Sequence, residues 1–159
     1  MCGIYLDESL ILTDLEVTDK EELLKMMGTN LMEKGLVKES FIKAIIEREK
    51  NYATGLPTKS VSVAIPHTDP EHVNKKAISL AILKKEVHFG IMGEKNAETP
   101  VKLVFMLAID KKRSHVTFLQ KLMEIFQNEE ELNYLLSEEN KTNIKNRLIH
   151  DLRVQKGEE

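Results

Sequence analysis

Apolar residues recur along the chain at two spacings, one typical of helices and one typical of strands. Apolar positions three or four residues apart form one face of a helix. This spacing predicts helices over 18–34, 41–51, 113–126, 129–136 and 142–152. Short apolar runs predict an edge strand at 10–12 and further strands at 61–65, 78–83, 87–89 and 101–109. The alternation of the two patterns favours an α/β layer architecture, and the pattern alone favours a mainly parallel sheet.

Local signals refine several of these elements. Thr18 and Glu21 have the spacing of a capping box, in which each side chain satisfies the other residue's backbone amide. Gly35 is expected to end the first helix. The run 101–109 is apolar at nearly every position, as in a central strand covered on both faces. In the helix that follows this strand, Val116 is assigned to the buried face.

The composition indicates a soluble globular protein of one domain, over 1–159. The chain has 159 residues, of which 42% are apolar and 31% charged, and this length leaves no room for two independent cores. The net charge is −3, from 23 basic and 26 acidic residues, which disfavours a nucleic-acid partner. Cys2 is the only cysteine, so the composition excludes an internal disulfide and predicts a reducing, cytoplasmic location. We expect no membrane span, because the longest apolar run (104–109) is too short, and no secretory signal.

His67 is the most informative candidate for chemistry. Pro66 ends the predicted strand 61–65, because proline has no amide hydrogen to donate to a sheet, and His67 comes next. Functional groups of α/β folds concentrate just beyond strand ends. Position alone is equally compatible with a surface histidine. His115, at the start of the helix after the long strand, lies where free amides can stabilise an anion, although a solvated first-turn histidine explains it as well.

The other candidates have weaker local signals. Arg48 ends the second helix, either as an ordinary charged residue or as a guanidinium that pairs with an anion near His67. His88 and His150 are expected to be structural or solvated. His72 could join His67 in a metal site with two acidic residues of the same loop, Asp69 and Glu71, but their spacing matches no known metal motif. The sequence contains no phosphate-binding GxxxxGK[ST] or GxGxxG motif and no GxSxG or HExxH motif.

Four ordered motifs resemble one family, the fructose/mannitol-type enzyme IIA domains of the bacterial phosphotransferase system. The motifs are Glu47-Arg48-Glu49, Thr54-Gly55, Val63-Ala64-Ile65-Pro66-His67, and the pair formed by Val104–Ala108 and His115–Leu122. The resemblance covers a core of about residues 5–150. Two places depart from the usual signature. The family usually has a hydrophobic residue followed by glycine or alanine where this chain has Lys59-Ser60. It usually has glycine, alanine or cysteine directly after the histidine, where this chain has Thr68. The segment 68–74 is most similar to the galactitol-type branch.

The resemblance implies a fold and a reaction. The fold is a three-layer α/β/α sandwich with a mixed sheet of about five strands. In the reaction, His67 accepts a phosphoryl group from phospho-HPr and passes it to an enzyme IIB, which serves sugar uptake through the membrane component IIC. Arg48 and His115 supply stabilising charge, and the Thr54 hydroxyl is a candidate contact to the phosphoryl group. The scheme requires no metal and no cofactor, and the protein does not insert into the membrane.

Three alternatives remain from the sequence. A IIA-like module could be regulatory, with phosphorylation of His67 switching its affinity for a target protein. An anion-transporter domain shares the fold, but the chain has no membrane segment. A metal-dependent hydrolase would use His67 and His72. With its one cysteine at position 2 and a single domain, the chain is also expected to carry neither its own IIB acceptor nor a fused IIC.

Overall fold

The computed structural model describes residues 4–109 and 114–153, except the side chains of residues 114, 115 and 153. These residues form five strands: β1 (Ile11–Leu15), β2 (Gly55–Leu56), β3 (Ser62–Ala64), β4 (Ala77–Gly90) and β5 (Glu98–Ala108). They also form five α-helices: α1 (Lys20–Glu33), α2 (Ser40–Asn51), α3 (Ser114–Phe126), α4 (Glu129–Ser137) and α5 (Lys141–Arg153). Within the described ranges, no helix has the length and apolarity that crossing a membrane requires.

The five strands form one mixed sheet in the order β1-β4-β5-β3-β2. β1 runs parallel to β4, and β3 runs parallel to β5. The β4–β5 and β2–β3 pairs are antiparallel. β5 is the central strand, which explains why it is apolar on both faces. The predicted mixed sheet is therefore confirmed, whereas the parallel sheet favoured by the pattern alone is wrong.

Helices cover both faces of the sheet and give three layers. Alternate residues of β5 point into two separate cores. Val104 and Met106 face the core shared with α1 and α2, and Leu103 and Phe105 face the core shared with α3, α4 and α5. The predicted α/β/α sandwich is confirmed by this arrangement.

β4 differs from the prediction because it is one long strand and not two. Its register against β5 shifts between Ile82 and Val87, so that the step from Ile82 to Val87 lies opposite the shorter step from Leu103 to Val101. The exposed charged residues 84–86 lie in this irregular stretch. Their polarity indicated a loop between two strands, but a bulge accommodates extra residues without ending the pairing.

The ends of α1 are capped by side-chain and backbone hydrogen bonds. The N-cap is Asp19, whose carboxylate accepts a hydrogen bond from the Glu22 amide at 2.9 Å. The Glu22 carboxylate in turn accepts from the Thr18 amide. The predicted box is thus shifted by one residue, since Asp19 is an equally good cap. Gly35, at φ +76°, ends the helix as predicted.

α3 also departs from the prediction at one position. Val116 is 62% exposed, although it was assigned to the buried face. The helix packs instead through Phe118, Leu122, Ile125 and Phe126, which are buried in the second core. Val116 lies in the first turn of the helix, before these buried positions.

The two edges of the sheet are irregular or short. β1 has a register shift against β4 between Leu12 and Leu15, and Asp14 within it has φ 56°, in the left-handed region. At the opposite edge, β2 consists of Gly55 and Leu56 alone. The sequence did not predict this strand, because two residues offer no alternating pattern and Pro57 follows them.

Two carboxyl groups meet at the contact between α4 and α5. Glu131 Oε2 and Asp151 Oδ2 are buried, and within the described residues no N–H or O–H group donates a hydrogen bond to either oxygen. Burial and the neighbouring Glu131 carboxylate raise the pKa of Asp151 to about 7, against the opposing effect of Arg147 and Lys121. A proton on Asp151 can therefore join the two carboxyl groups.

We expect Asp151→Asn to change how stability depends on pH. In the unfolded chain this carboxyl has a pKa near 3.8, so the folded protein holds its proton over a range in which the unfolded chain has lost it. The stabilisation that the proton on Asp151 provides is complete below pH 3.8 and is lost as the pH rises through about 7. The advantage of the variant over wild type should therefore grow from pH 4 to pH 8, as measured by urea unfolding. Glu139→Gln, at an exposed position before α5, should follow the wild-type curve.

Candidate functional site

His67 lies where β3 leaves the sheet beside the end of β5. The pairing continues past β3, because the Leu107 amide donates to the Pro66 carbonyl oxygen at 3.0 Å. Ile65 is buried, and His67 is half-buried. The backbone that carries the histidine is therefore held against the central strand, and the ring stands at the boundary between core and solvent.

A hydrogen bond orients the ring of His67. Its Nδ1 lies 2.8 Å from the Ile65 carbonyl oxygen. A carbonyl oxygen can only accept, so Nδ1 carries the hydrogen and donates it. In the neutral ring, the lone pair available for attack is then on Nε2. The geometry thus leaves Nε2 as the ring nitrogen with a free lone pair.

Arg48 reaches the loop that follows His67. It lies in the last turn of α2, and its Nη1 is 3.5 Å from Asp69 Oδ1. The guanidinium carbon lies 4.8 Å from the centroid of the Tyr52 ring. The structure therefore brings the side chain of the predicted arginine to the loop that carries the predicted histidine, where it pairs with the carboxylate two residues after that histidine.

Thr54 is held in the interior by Glu49. The Thr54 side chain is 3% exposed and Glu49 is 2% exposed. The Glu49 carboxylate accepts from the Thr54 amide at 2.8 Å and pairs with the Thr54 hydroxyl at 2.9 Å. Burial raises the pKa of Glu49, and the hydrogen bonds from Thr54 oppose this shift. The geometry does not support the predicted contact between the Thr54 hydroxyl and a phosphoryl group, because this hydroxyl is enclosed and already paired.

We expect Glu49→Ala and Glu49→Gln to differ sharply in stability. Alanine leaves the Thr54 amide and hydroxyl buried without a partner, which should cost about 2–4 kcal/mol in the free energy of unfolding. Glutamine can accept from the amide through its oxygen and donate to the hydroxyl through its nitrogen, so its cost should stay below about 1 kcal/mol. Denaturant unfolding of the two variants measures the difference. Equal losses would contradict the role of these hydrogen bonds.

His115 lies in the first turn of α3, and its side chain is outside the described residues. Residues 110–113, which join β5 to this helix, are outside them as well. The backbone shows where β5 ends and where α3 begins. β5 ends at Ala108 beside the loop that carries His67, and α3 starts at Ser114.

The remaining histidines are separate from this site. The His72 Nδ1 lies 2.8 Å from the Ser40 hydroxyl, and its Nε2 lies 3.7 Å from Glu71. His88 and His150 are exposed on β4 and α5. Over 4–109 and 114–153, no three His, Cys, Asp or Glu side chains converge as metal ligands would. His72 is thus directed toward the start of α2, and the metal-site alternative has no geometric support.

Sequence reasoning missed the parts played by Glu49, Tyr52 and Asp69. A signal for Glu49 was available, because it continues the spacing of Phe41 and Ile45 by four residues and so falls on the buried face of α2. Asp69 was considered only as a metal ligand. Its pairing with Arg48 joins segments that are distant in sequence and is not visible in a local pattern.

Comparison with known proteins identifies relatives of this chain. The model of the family described as "Phosphoenolpyruvate-dependent sugar phosphotransferase system, EIIA 2" matches residues 4–151. The galactitol-specific EIIA component of Escherichia coli (strain K12) is 29% identical over 108 residues, which are 68% of this chain and 71% of that protein. The mannitol-specific cryptic phosphotransferase enzyme IIA component of the same strain is 30% identical over 137 residues, 84% of this chain and 87% of that protein.

A solved structure shares the fold. It is the Escherichia coli complex of enzyme IIA of the mannitol type with phosphorylated enzyme IIB, in which the matched chain has a TM-score of 0.74 and 21% identity. The match covers 94% of this chain and 97% of that chain. The arrangement of strands and helices around the histidine loop is therefore one that has been solved before.

Proposed function

This chain belongs to the EIIA 2 family of the phosphoenolpyruvate-dependent sugar phosphotransferase system, and on that premise we propose that it carries a phosphoryl group on His67. The observation that carries the proposal is the ring geometry. Nδ1 is tied to the Ile65 carbonyl oxygen at 2.8 Å, which leaves the Nε2 lone pair for attack on phosphorus. The half-buried position of the ring suits a nucleophile that must meet other proteins in turn.

The proposed donor is phospho-HPr, a small carrier with a phosphohistidine. The lone pair of His67 Nε2 forms the new N–P bond as the N–P bond of the donor breaks, and the donor imidazole leaves with the electron pair. Negative charge spreads over the three equatorial oxygens during the transfer, so stabilisation consists mainly of positioning and positive charge. Arg48 is the proposed source of that charge, since its planar fork suits phosphate oxygens.

Two further residues have proposed roles around His67. His115 would add a donor from the first turn of α3, where the free backbone amides also favour an anion. Thr54 would act through Glu49, by fixing the chain between α2 and β2 while Arg48 turns toward the histidine. This role replaces direct contact between Thr54 and the phosphoryl group.

The proposed acceptor is an enzyme IIB of a system that takes up a sugar alcohol. The relatives are specific for galactitol and mannitol, which are both hexitols, and a fold neighbour has been solved in complex with a phosphorylated IIB. We propose galactitol-type uptake, with the IIB acceptor passing the group on during transport through IIC. The carrier would act in the cytoplasm.

Labelling of the wild-type protein tests this function. The protein is incubated with radiolabelled phosphoenolpyruvate, enzyme I and HPr, and the modified residue is mapped by mass spectrometry. A galactitol-type IIB is then added to follow onward transfer. Label on His67 that moves to IIB is the expected result. Label on another residue, or none, contradicts the proposal, and label that no IIB accepts would favour the regulatory alternative.

A further inference from the structure

The loop after His67 presents an exposed carboxylate, that of Asp69. Pro70 confines Asp69 to an extended backbone, with φ −63° and ψ 148°. Thr68, between the two residues, is buried, whereas His67 is half-buried and Asp69 exposed. Asp69 follows His67 by two residues, so their Cα atoms lie at most about 7 Å apart. A phosphoryl group on His67 and the Asp69 carboxylate would therefore place two negative charges on one short segment.

The Asp69 carboxylate pairs with Arg48. Asp69 occupies the N-cap position of the short 3₁₀ turn Pro70–His72, a place where aspartate commonly bonds a backbone amide, yet its side chain makes no such bond here. It lies instead 3.5 Å from the Arg48 Nη1. The arginine expected to stabilise the phosphoryl group is thus neutralised before that group arrives.

This ion pair is suited to exchange. The Arg48 and Asp69 side chains are 37% and 63% exposed, and pairs in water are weak. A phosphoryl group offers several oxygens and a higher charge, so it binds a guanidinium more strongly than one carboxylate does. Once Arg48 turns to the phosphoryl oxygens, the Asp69 carboxylate loses its partner and repels the phosphoryl charge.

We propose that Asp69 is the counter-ion that Arg48 exchanges for the phosphoryl group, and that its charge makes phosphorylated His67 readier to give the group away. This inference rests on the proposed function. Asp69 acts through Arg48 and does not touch the reacting atoms. Its effect is on the balance between the two states of the carrier, which is what decides whether a phosphoryl group moves onward.

The test compares wild type with Asp69→Asn, which keeps the shape and removes the charge. Each protein is equilibrated with HPr and phospho-HPr, and the phosphorylated fractions give the transfer equilibrium constant. We expect the variant to favour the phosphorylated state by about two- to fivefold at low salt, and the difference to shrink at high salt. Asp69→Glu should restore the wild-type constant. Glu71 lies in the same loop, but its carboxylate faces His72 and not Arg48. Glu71→Gln should therefore leave the transfer equilibrium constant unchanged.

A second measurement is independent of HPr. Phosphoramidate loads the histidine directly: the Nε2–P bond forms as the P–N bond of the reagent breaks, and the nitrogen leaves as ammonia. The lifetime of the phosphorylated protein is then followed by intact-mass spectrometry. Hydrolysis, in which water takes the phosphoryl group and the imidazole is restored, should be slower in Asp69→Asn than in wild type.

The outcomes separate this inference from the proposed function. If neither phospho-HPr nor phosphoramidate labels His67 of the wild-type protein, the function is overturned, and this inference with it. Labelled wild type with an unchanged constant in Asp69→Asn overturns this inference alone. A lower phosphorylated fraction in Asp69→Asn also overturns it, since that result would mean that the carboxylate stabilises the phosphorylated state.

Discussion

The His67→Ala variant is expected to accept no phosphoryl group and to remain folded. Loss of the attacking nitrogen removes the covalent step itself, so the labelling rate should fall by at least about 10³-fold. Among the described residues, the half-buried ring is hydrogen-bonded to the Ile65 carbonyl oxygen, and the loss of this bond should cost about 1 kcal/mol or less. The measurement is the initial rate of labelling from phospho-HPr, with circular dichroism to verify the fold.

A matched control is available in the same segment. His72 is also bonded through Nδ1, to the Ser40 hydroxyl at 2.8 Å, but it faces the start of α2. His72→Ala should therefore label at the wild-type rate. Residual label in His67→Ala comparable to wild type would show that another residue is the acceptor.

Gly55→Ala is expected to be among the most destabilising small substitutions in the protein. An added Cβ at this position would overlap the Gly90 carbonyl oxygen and lie 3.1 Å from the Thr99 methyl carbon and 3.2 Å from the Phe89 Cβ. The first of these atoms belongs to backbone at the end of β4, so the strain cannot be relieved by a side-chain rotation. We expect a loss of about 3 kcal/mol in the free energy of unfolding.

Displacement of the segment around Gly55 should also affect function. Gly55 pairs with Ala64 across β2 and β3, and it is adjacent to Thr54, which Glu49 holds. A shift of this segment should also lower the rate of phosphoryl acceptance. Urea unfolding and labelling from phospho-HPr measure the two effects on one sample.

Gly28→Ala is the matched control. Its Cβ would lie 3.2 Å from the Ile42 Cγ1, a side-chain atom on the neighbouring helix, which can give way. Alanine also favours a helix over glycine by about 1 kcal/mol. Gly28→Ala should therefore be close to neutral. Equal destabilisation by the two variants would show that the close approach at Gly55 is not what limits that position.

Local patterns predicted most of the fold because they report burial directly. The apolar run 101–109 became the central strand, and the spacing of Phe41 and Ile45 gave α2. What failed depended on pairing between distant segments. Whether the charged residues 84–86 form a turn or a bulge is decided by β5 across the sheet, and a two-residue strand such as β2 has no pattern of its own.

The same distinction applies to the site. The motif ending at His67 could be recognised because its residues are adjacent, and the structure places it at a strand end, as predicted. The burial of Thr54 was missed because it depends on Glu49, a charged residue on an otherwise apolar helical face. The Arg48–Asp69 pair was missed because it forms when the end of α2 meets the loop after β3.

The two sheet edges limit how other proteins can attach to this one. An exposed, regular edge strand invites another chain to add a strand of its own. Here one edge is the two-residue β2, and the other is interrupted at Asp14, whose φ of 56° turns the backbone out of register. Neither edge is a good template for main-chain pairing. The proposed donor and acceptor would then bind through side chains and not through an added strand, and such contacts can form and dissociate quickly.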